Sequence, residues 1–276
     1  MNAAWVQIHR GDAPLVVSLP HTGTDIPPEL AERFVSPWMA RKDADWWVDQ
    51  LYAFARDLGA TTVRTPISRS VIDVNRDPSG ASLYPGQVTT ELCPTTTFDG
   101  EPLYREGQAP DAGEIARRRE TWFDPYHAAL QAELDRLRAL HGRIVLYEAH
   151  SIRSRVPRLF DGELPNVNIG TNSGASCDPA LTAAVEAACD AGPFSRITNG
   201  RFKGGWTTRR YGQPQTGVHA IQIELACRGY IDEPTAEPTP ANWPPPLLEE
   251  RAAPLRATLS AVLQACLAFA QARDAR

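Results

Sequence analysis

The chain has 276 residues, 42% hydrophobic and 22% charged, with a formal charge of −5. That length supports a full apolar core and that composition excludes a disordered chain. The mild acidity argues against nucleic acid as the main partner. No run approaches the roughly 18 uninterrupted apolar residues of a membrane helix, and the first residues lack a basic, apolar signal pattern.

In chain order, Leu15–Leu19 is a short apolar run closed by Pro20 and reads as a buried strand. Residues 45–58 carry apolar side chains at helical steps and stop at Gly59, which predicts a helix. Residues 61–64 and 70–74 are β-rich and read as strands. Residues 77–110 are rich in Pro, Gly and Thr and predict a long ordered loop, a feature often tied to function. Residues 114–140 read as a helix broken or kinked at Pro125. Residues 143–149 read as a strand, 179–189 as a helix capped by Asp178, 219–225 as a strand, and 245–273 as a closing helix. Alternating strands and helices predict one α/β domain over residues 1–276, with a mostly parallel sheet and helices on both faces. In such sheets the site lies beyond the carboxyl ends of the strands.

The five cysteines, Cys93, Cys177, Cys189, Cys227 and Cys266, are odd in number, widely spaced and free of any CxxC. A disulfide framework and a thiolate zinc site are both disfavoured, and a reducing cytoplasm is the expected setting. A bound metal would therefore take imidazole and carboxylate ligands. His21 follows the first strand and His150 follows the strand over 143–149, so both stand at carboxyl ends. Two such histidines with nearby acids form a reasonable zinc shell. The acids in reach are Asp25, Asp43, Asp45 and Glu148. Asp43 and Asp45 double as helix caps, and Glu148 shares a strand face with His150.

Glu224 lies inside the apolar run Ala220-Ile221-Gln222-Ile223-Glu224-Leu225. Burying a carboxylate there is costly unless it is paired or functional, and burial raises its pKa towards the range of a general base. Gln222 shares its face. Asn75-Arg76 ends the run over 70–74, where Arg supplies a two-pronged match to a carboxylate; Arg69 lies seven residues before Arg76, and Asp73 or Asp77 is an alternative charge partner for Arg76. Two further basic clusters, Arg153 with Arg155, and Arg201 with Lys203, are candidate anion anchors. His127, on the long helix, reads as a core histidine. No G-x-S-x-G is present, so a serine hydrolase is disfavoured.

Pro20-His21-Thr22-Gly23, Asp43-Ala44-Asp45-Trp46, Val71-Ile72-Asp73-Val74-Asn75-Arg76, Phe98-Asp99-Gly100-Glu101-Pro102-Leu103-Tyr104, Ala149-His150-Ser151-Ile152, Asn199-Gly200-Arg201-Phe202-Lys203-Gly204-Gly205 and Ile221-Gln222-Ile223-Glu224 occur in this order. Together they resemble the N-formylglutamate amidohydrolase family over residues 14–232. The resemblance implies a three-layer α/β/α sandwich with a mixed sheet, similar to carboxypeptidase A-like zinc exopeptidases. It implies one zinc ion per chain, a small anionic N-acyl amino acid as substrate, and hydrolysis of N-formyl-L-glutamate to formate and glutamate in histidine degradation. By position, His21 and His150 match the metal histidines, Glu224 the general base, Asn75-Arg76 a carboxylate clamp, and Arg69 an oxyanion-stabilising Arg. A second clamp would come from Arg153/Arg155 or Arg201/Lys203. Thr24 stands where the family pattern His-x-x-Glu has its carboxylate. Asp45 is the favoured replacement, with Asp43 and Glu148 as alternatives. Two other readings stay open: deacylation of a different N-acyl amino acid, and a non-catalytic carboxylate-binding protein.

Overall fold

Seven strands form one sheet in the computed structural model, which describes residues 5–83 and 86–272. The strands are β1 (Gln7–His9), β2 (Leu15–Leu19), β3 (Thr61–Arg64), β4 (Ile144–Ile152), β5 (Val167–Gly170), β6 (Arg196–Thr198) and β7 (Val218–Ala226). The helices are α1 (Pro28–Ala31), α2 (Val48–Leu51), α3 (Ala112–Arg118), α4 (Asp124–His141), α5 (Pro179–Asp190), α6 (Trp206–Tyr211) and α7 (Glu249–Gln271). The strand order is β1-β3-β2-β4-β7-β5-β6. β1 runs antiparallel to β3 and β5 antiparallel to β7, whereas the other four pairings are parallel.

β4 and β7 are the central strands, each buried along all nine residues, as expected where helices cover both faces. Strand alternation divides them. Val145, Tyr147, Ala149, Ile221, Ile223 and Leu225 point to the layer of α2, α5 and α7, with Leu15, Val17 and Leu19 of β2. Ile144, Leu146, Ala220 and Val16 point to the layer of α4. Helices on both faces make the three-layer α/β/α sandwich. α7 has the length and apolarity of a membrane span, but Leu255, Leu259, Val262, Leu263 and Cys266 are buried in the core it shares with α5. Each such side chain contributes about 1.5–3 kcal/mol on burial.

From β2 the chain passes to β3 on one side and then crosses to β4 on the other. The carboxyl ends of β2 and β4 therefore flank a topological switch point, the place where open α/β sheets open a crevice.

Several elements differ from the sequence reading. The helix expected over 45–58 shrinks to α2 and a 3-10 turn over Ala53–Arg56. Trp47 takes a left-handed φ of 67°, and the Asp45 N–H donates to the His21 carbonyl at 2.9 Å. Tertiary contacts at the start of the segment override its helical period. Residues 70–74 form turns rather than a strand: Val71 N–H donates to Ser68 and Asp73 N–H to Leu92. The β-branched side chains Val71, Ile72 and Val74 instead plug the core on the α4 side. The 114–140 helix is α3, a π turn over Arg119–Phe123, and α4, with Pro125 in the first turn of α4, where a missing N–H costs little. β4 runs on to Ile152, so His150 lies inside its carboxyl end rather than after it. The Asp178 carboxylate caps α5, accepting from Ala180 N–H at 2.7 Å. β1, β5, β6, α1 and α6 are additional elements, and the closing helix starts at Glu249 rather than at residue 245. The expected end of the closing helix at residue 273 lies outside the described residues.

Candidate active site

His21, Asp45 and His150 meet at the carboxyl end of the sheet, with one donor atom from each within 4.8 Å of the others. His21 follows β2, and Asp45 is tied to it by the backbone bond to the His21 carbonyl. His150 Nδ1 lies 3.1 Å from His21 Nδ1 and 3.1 Å from Asp45 Oδ2. All three side chains are buried.

The opposite ring nitrogens are held from outside. His21 Nε2 lies 2.7 Å from Asp73 Oδ1. His150 Nε2 lies 3.3 Å from Glu148 Oε2 and 3.1 Å from Asn75 Nδ2. A carboxylate on Nε2 fixes the proton there and leaves the Nδ1 lone pair facing inward, the arrangement that orients metal-binding histidines. Two imidazole lone pairs and a carboxylate oxygen then converge on one point, which is repulsive unless a cation sits between them.

The electrostatics agree. Burial, with Arg69 adding, pulls the His21 pKa down to about 4, so its ring stays neutral. Burial also acts against a charge on His150, but its hydrogen bonds to the Asp45 and Glu148 carboxylates outweigh it and push its pKa to about 10. Asp73 stays well below the usual carboxylate range, because Arg76, His21 and Arg69 outweigh its burial. Around the cluster, Arg69 pairs with Asp45 and Asp73, Arg76 with Asp73, and Glu148 with His150. Imidazole and carboxylate donors suit zinc in particular.

A cavity of about 430 Å³ opens onto the cluster, within the range of small-molecule sites. His21, His150, Arg69, Arg76, Arg201, Gln222 and Glu224 line it, together with Phe98, Ile152, Leu159 and Phe202. Glu224 pairs with His150 across the β4–β7 ladder. Burial lifts its pKa to about 7.

Arg69 donates to Asp73 at 2.7 Å and to Asp45 at 3.5 Å. Asn75 is buried and lines the cavity, and its Oδ1 accepts from Thr207 N–H at 2.9 Å. A Cβ on Gly205 would come within 2.4 Å of the Asn75 amide, so the close approach admits only glycine. Gln222 Oε1 accepts from Gly205 N–H at 2.7 Å, fixing the same loop. Arg76 donates to the Thr90 carbonyl and hydroxyl.

The remaining basic residues separate. Arg201 faces the cavity, donating to the carbonyls of Leu159 and Val88. Arg153 pairs with Asp99 at 2.6 Å, and Arg155 is exposed beside Glu163; neither lines the cavity, nor does Lys203. Asp43 lies outside the cluster, accepting from Phe98 N–H. Thr24 contributes only its carbonyl, to Arg41. Asp73 is the residue the sequence reading underrates: it supports His21 as well as the arginines. Its signal, an acid inside the β-branched run Val71-Ile72-Asp73-Val74, is the one that singled out Glu224.

Residues 13–231 match the family model described as N-formylglutamate amidohydrolase. An N-formylglutamate deformylase of Pseudomonas aeruginosa is 51% identical over 225 residues, covering 81% of this chain and 84% of the relative. Another, of Pseudomonas putida, is 44% identical over 272 residues and 98% of both chains. In fold, the chain matches the crystal structure of N-formylglutamate amidohydrolase from Ralstonia eutropha JMP134. That match has a TM-score of 0.76 at 24% identity over 95% of this chain and 97% of the other. With its motifs in order and its buried His-Asp-His cluster under one cavity, the chain belongs to the N-formylglutamate amidohydrolase family.

Proposed function

We propose that this protein hydrolyses N-formyl-L-glutamate to formate and L-glutamate, the deformylation that ends one route of histidine degradation, with zinc held by His21, Asp45 and His150. The observation that carries this reading is the convergence of two inward Nδ1 atoms and one carboxylate, each backed by a buried partner, at the floor of a cavity bearing three guanidiniums. A zinc ion held by these residues would supply Lewis acidity towards a carbonyl and would bring the pKa of water down to about 7.

The chain's own residues do the rest. Glu224 accepts a proton from the attacking water and passes it to the leaving amine; its burial keeps it near the pKa this exchange needs. Arg69, held by Asp73 and Asp45, presents positive charge to the oxyanion formed from the formyl oxygen. The substrate has two carboxylates. Arg76 binds one, and Asn75 holds the backbone turn and the Gly205 loop that shape this end of the cavity. Arg201 is the basic group of the two candidate clusters that reaches the cavity, and it takes the other.

Formate release by the purified protein tests this. The expected result is release that disappears on chelation and returns with zinc. A zinc-loaded protein that releases no formate from N-formyl-L-glutamate would move the substrate to another N-acyl amino acid.

A further inference from the structure

We propose that Phe98 is the wall that limits the acyl group of the substrate to a formyl group. This rests on the deformylase reading and specifies which part of the site rejects larger acyl groups.

The Phe98 ring lines the cavity and lies 4.9 Å from the Arg69 guanidinium. Arg69 in turn reaches Asp45 at 3.5 Å. The ring therefore stands at the metal-cluster end of the cavity, beside the group assigned to the oxyanion. The ring packs with Ile152, Val156, Leu164 and Ala226 in a small apolar cluster.

Its backbone is pinned with unusual investment. Phe98 N–H donates to Asp43 at 2.7 Å, two residues from Asp45, so wall and cluster share one segment. The turn over 97–101 closes through Gly100 N–H to the Thr97 carbonyl and Thr97 N–H to the Glu101 carbonyl. The buried Lys42 pairs with Asp99 at 2.7 Å and also with Glu101, and Arg153 reaches Asp99 at 2.6 Å. The proposed chemistry uses none of Lys42, Asp43, Asp99, Glu101 or Arg153. Ion pairs of this kind are poor sources of net stability; what they fix here is the position of one aromatic side chain.

A formyl carbon bears hydrogen where an acetyl carbon bears a methyl group. The cavity as a whole, at about 430 Å³, has room for either substrate, so discrimination has to be local. A ring packed at core density does not yield to one added methyl, and one such carbon is worth about 10- to 200-fold in kcat/KM.

The test compares kcat/KM for N-formyl- and N-acetyl-L-glutamate in zinc-loaded wild type, Phe98→Leu and Phe98→Ala, with zinc content and circular dichroism as controls. The wild type is expected to favour the formyl substrate by at least about tenfold. The ratio should move towards acetyl by about tenfold or more in Phe98→Ala and by less in Phe98→Leu. If the alanine variant does not fold, the leucine variant decides. A merely structural Phe98 lowers both rates together; an unchanged ratio in a folded, zinc-loaded variant overturns the proposal, as does a wild type that cleaves both substrates equally. Absence of formate release by the zinc-loaded wild type is a different result, and overturns the deformylase reading itself.

Discussion

The two faces of the central sheet are built from the same strands for opposite purposes. On the α5–α7 face, β4 and β7 present Val145, Tyr147, Ala149, Ile221, Ile223 and Leu225, a largely apolar surface whose polar contacts include a Tyr52–Tyr147 hydroxyl pair, Ser151 with Tyr230, and His219 with the Asp178 N–H. On the α4 face the same strands present Glu148, His150, Gln222 and Glu224, all buried. A one-residue step along the strand separates core from chemistry. The dry face contributes the stability that lets the other face hold charges whose burial is costly.

Breaking the chemistry without touching the core should have the largest effect. Glu224→Gln is expected to lower kcat by about 10²–10⁴ or more, with zinc content and thermal stability unchanged; steady-state kinetics beside metal analysis checks it. Breaking the core should do the reverse. Leu259→Ala on α7 is expected to cost about 2–5 kcal/mol of stability in denaturant unfolding, with kcat preserved in the folded fraction. Asp73→Asn weakens the α4 face at its support: zinc affinity should fall about 10- to 100-fold in competition with a chelator, before any loss of fold.

Per pH unit, the smallest effect is a pH signature of the α4 layer. His127 is buried there, its Nε2 against the Val74 carbonyl and its Nδ1 against the Tyr211 hydroxyl. Burial lowers its pKa from 6.5 to about 3. The unfolded chain therefore binds this proton more readily than the folded one. Its contribution to stability is complete above about 6.5 and is lost as pH falls towards about 3. His127→Gln should flatten the acid limb of stability by about 1.4 kcal/mol per pH unit within that window, measured by denaturant unfolding across pH.

Much of this site was readable without coordinates because strand ends are punctuated. Pro20-His21, Glu148-Ala149-His150 and Ile223-Glu224 each place a polar group at or near the end of an apolar run, and the fold brings these ends together. Asp45 and Asp73 were harder. Both sit on turns whose local patterns mimic regular elements, a helix from 45 and a strand over 70–74. The tertiary contacts that override those patterns, His21 to Asp45 and Leu92 to Asp73, connect residues far apart in sequence. β5 and β6 were missed for a related reason: each is four residues or fewer, too short for a period to register. Basic residues were the least legible. Arg153, Arg155, Arg201 and Lys203 look alike in sequence, and only the path of the chain sends Arg201 into the cavity.

The most direct test of the account is to locate the metal by anomalous scattering in crystals of the zinc-loaded protein. One zinc per chain is expected, bounded by Nδ1 of His21, Nδ1 of His150 and the Asp45 carboxylate, with Asp73 and Glu148 on the far nitrogens. Zinc on the Nε2 side, held by Asp73 or Glu148, would contradict it, as would a metal-free protein that still releases formate.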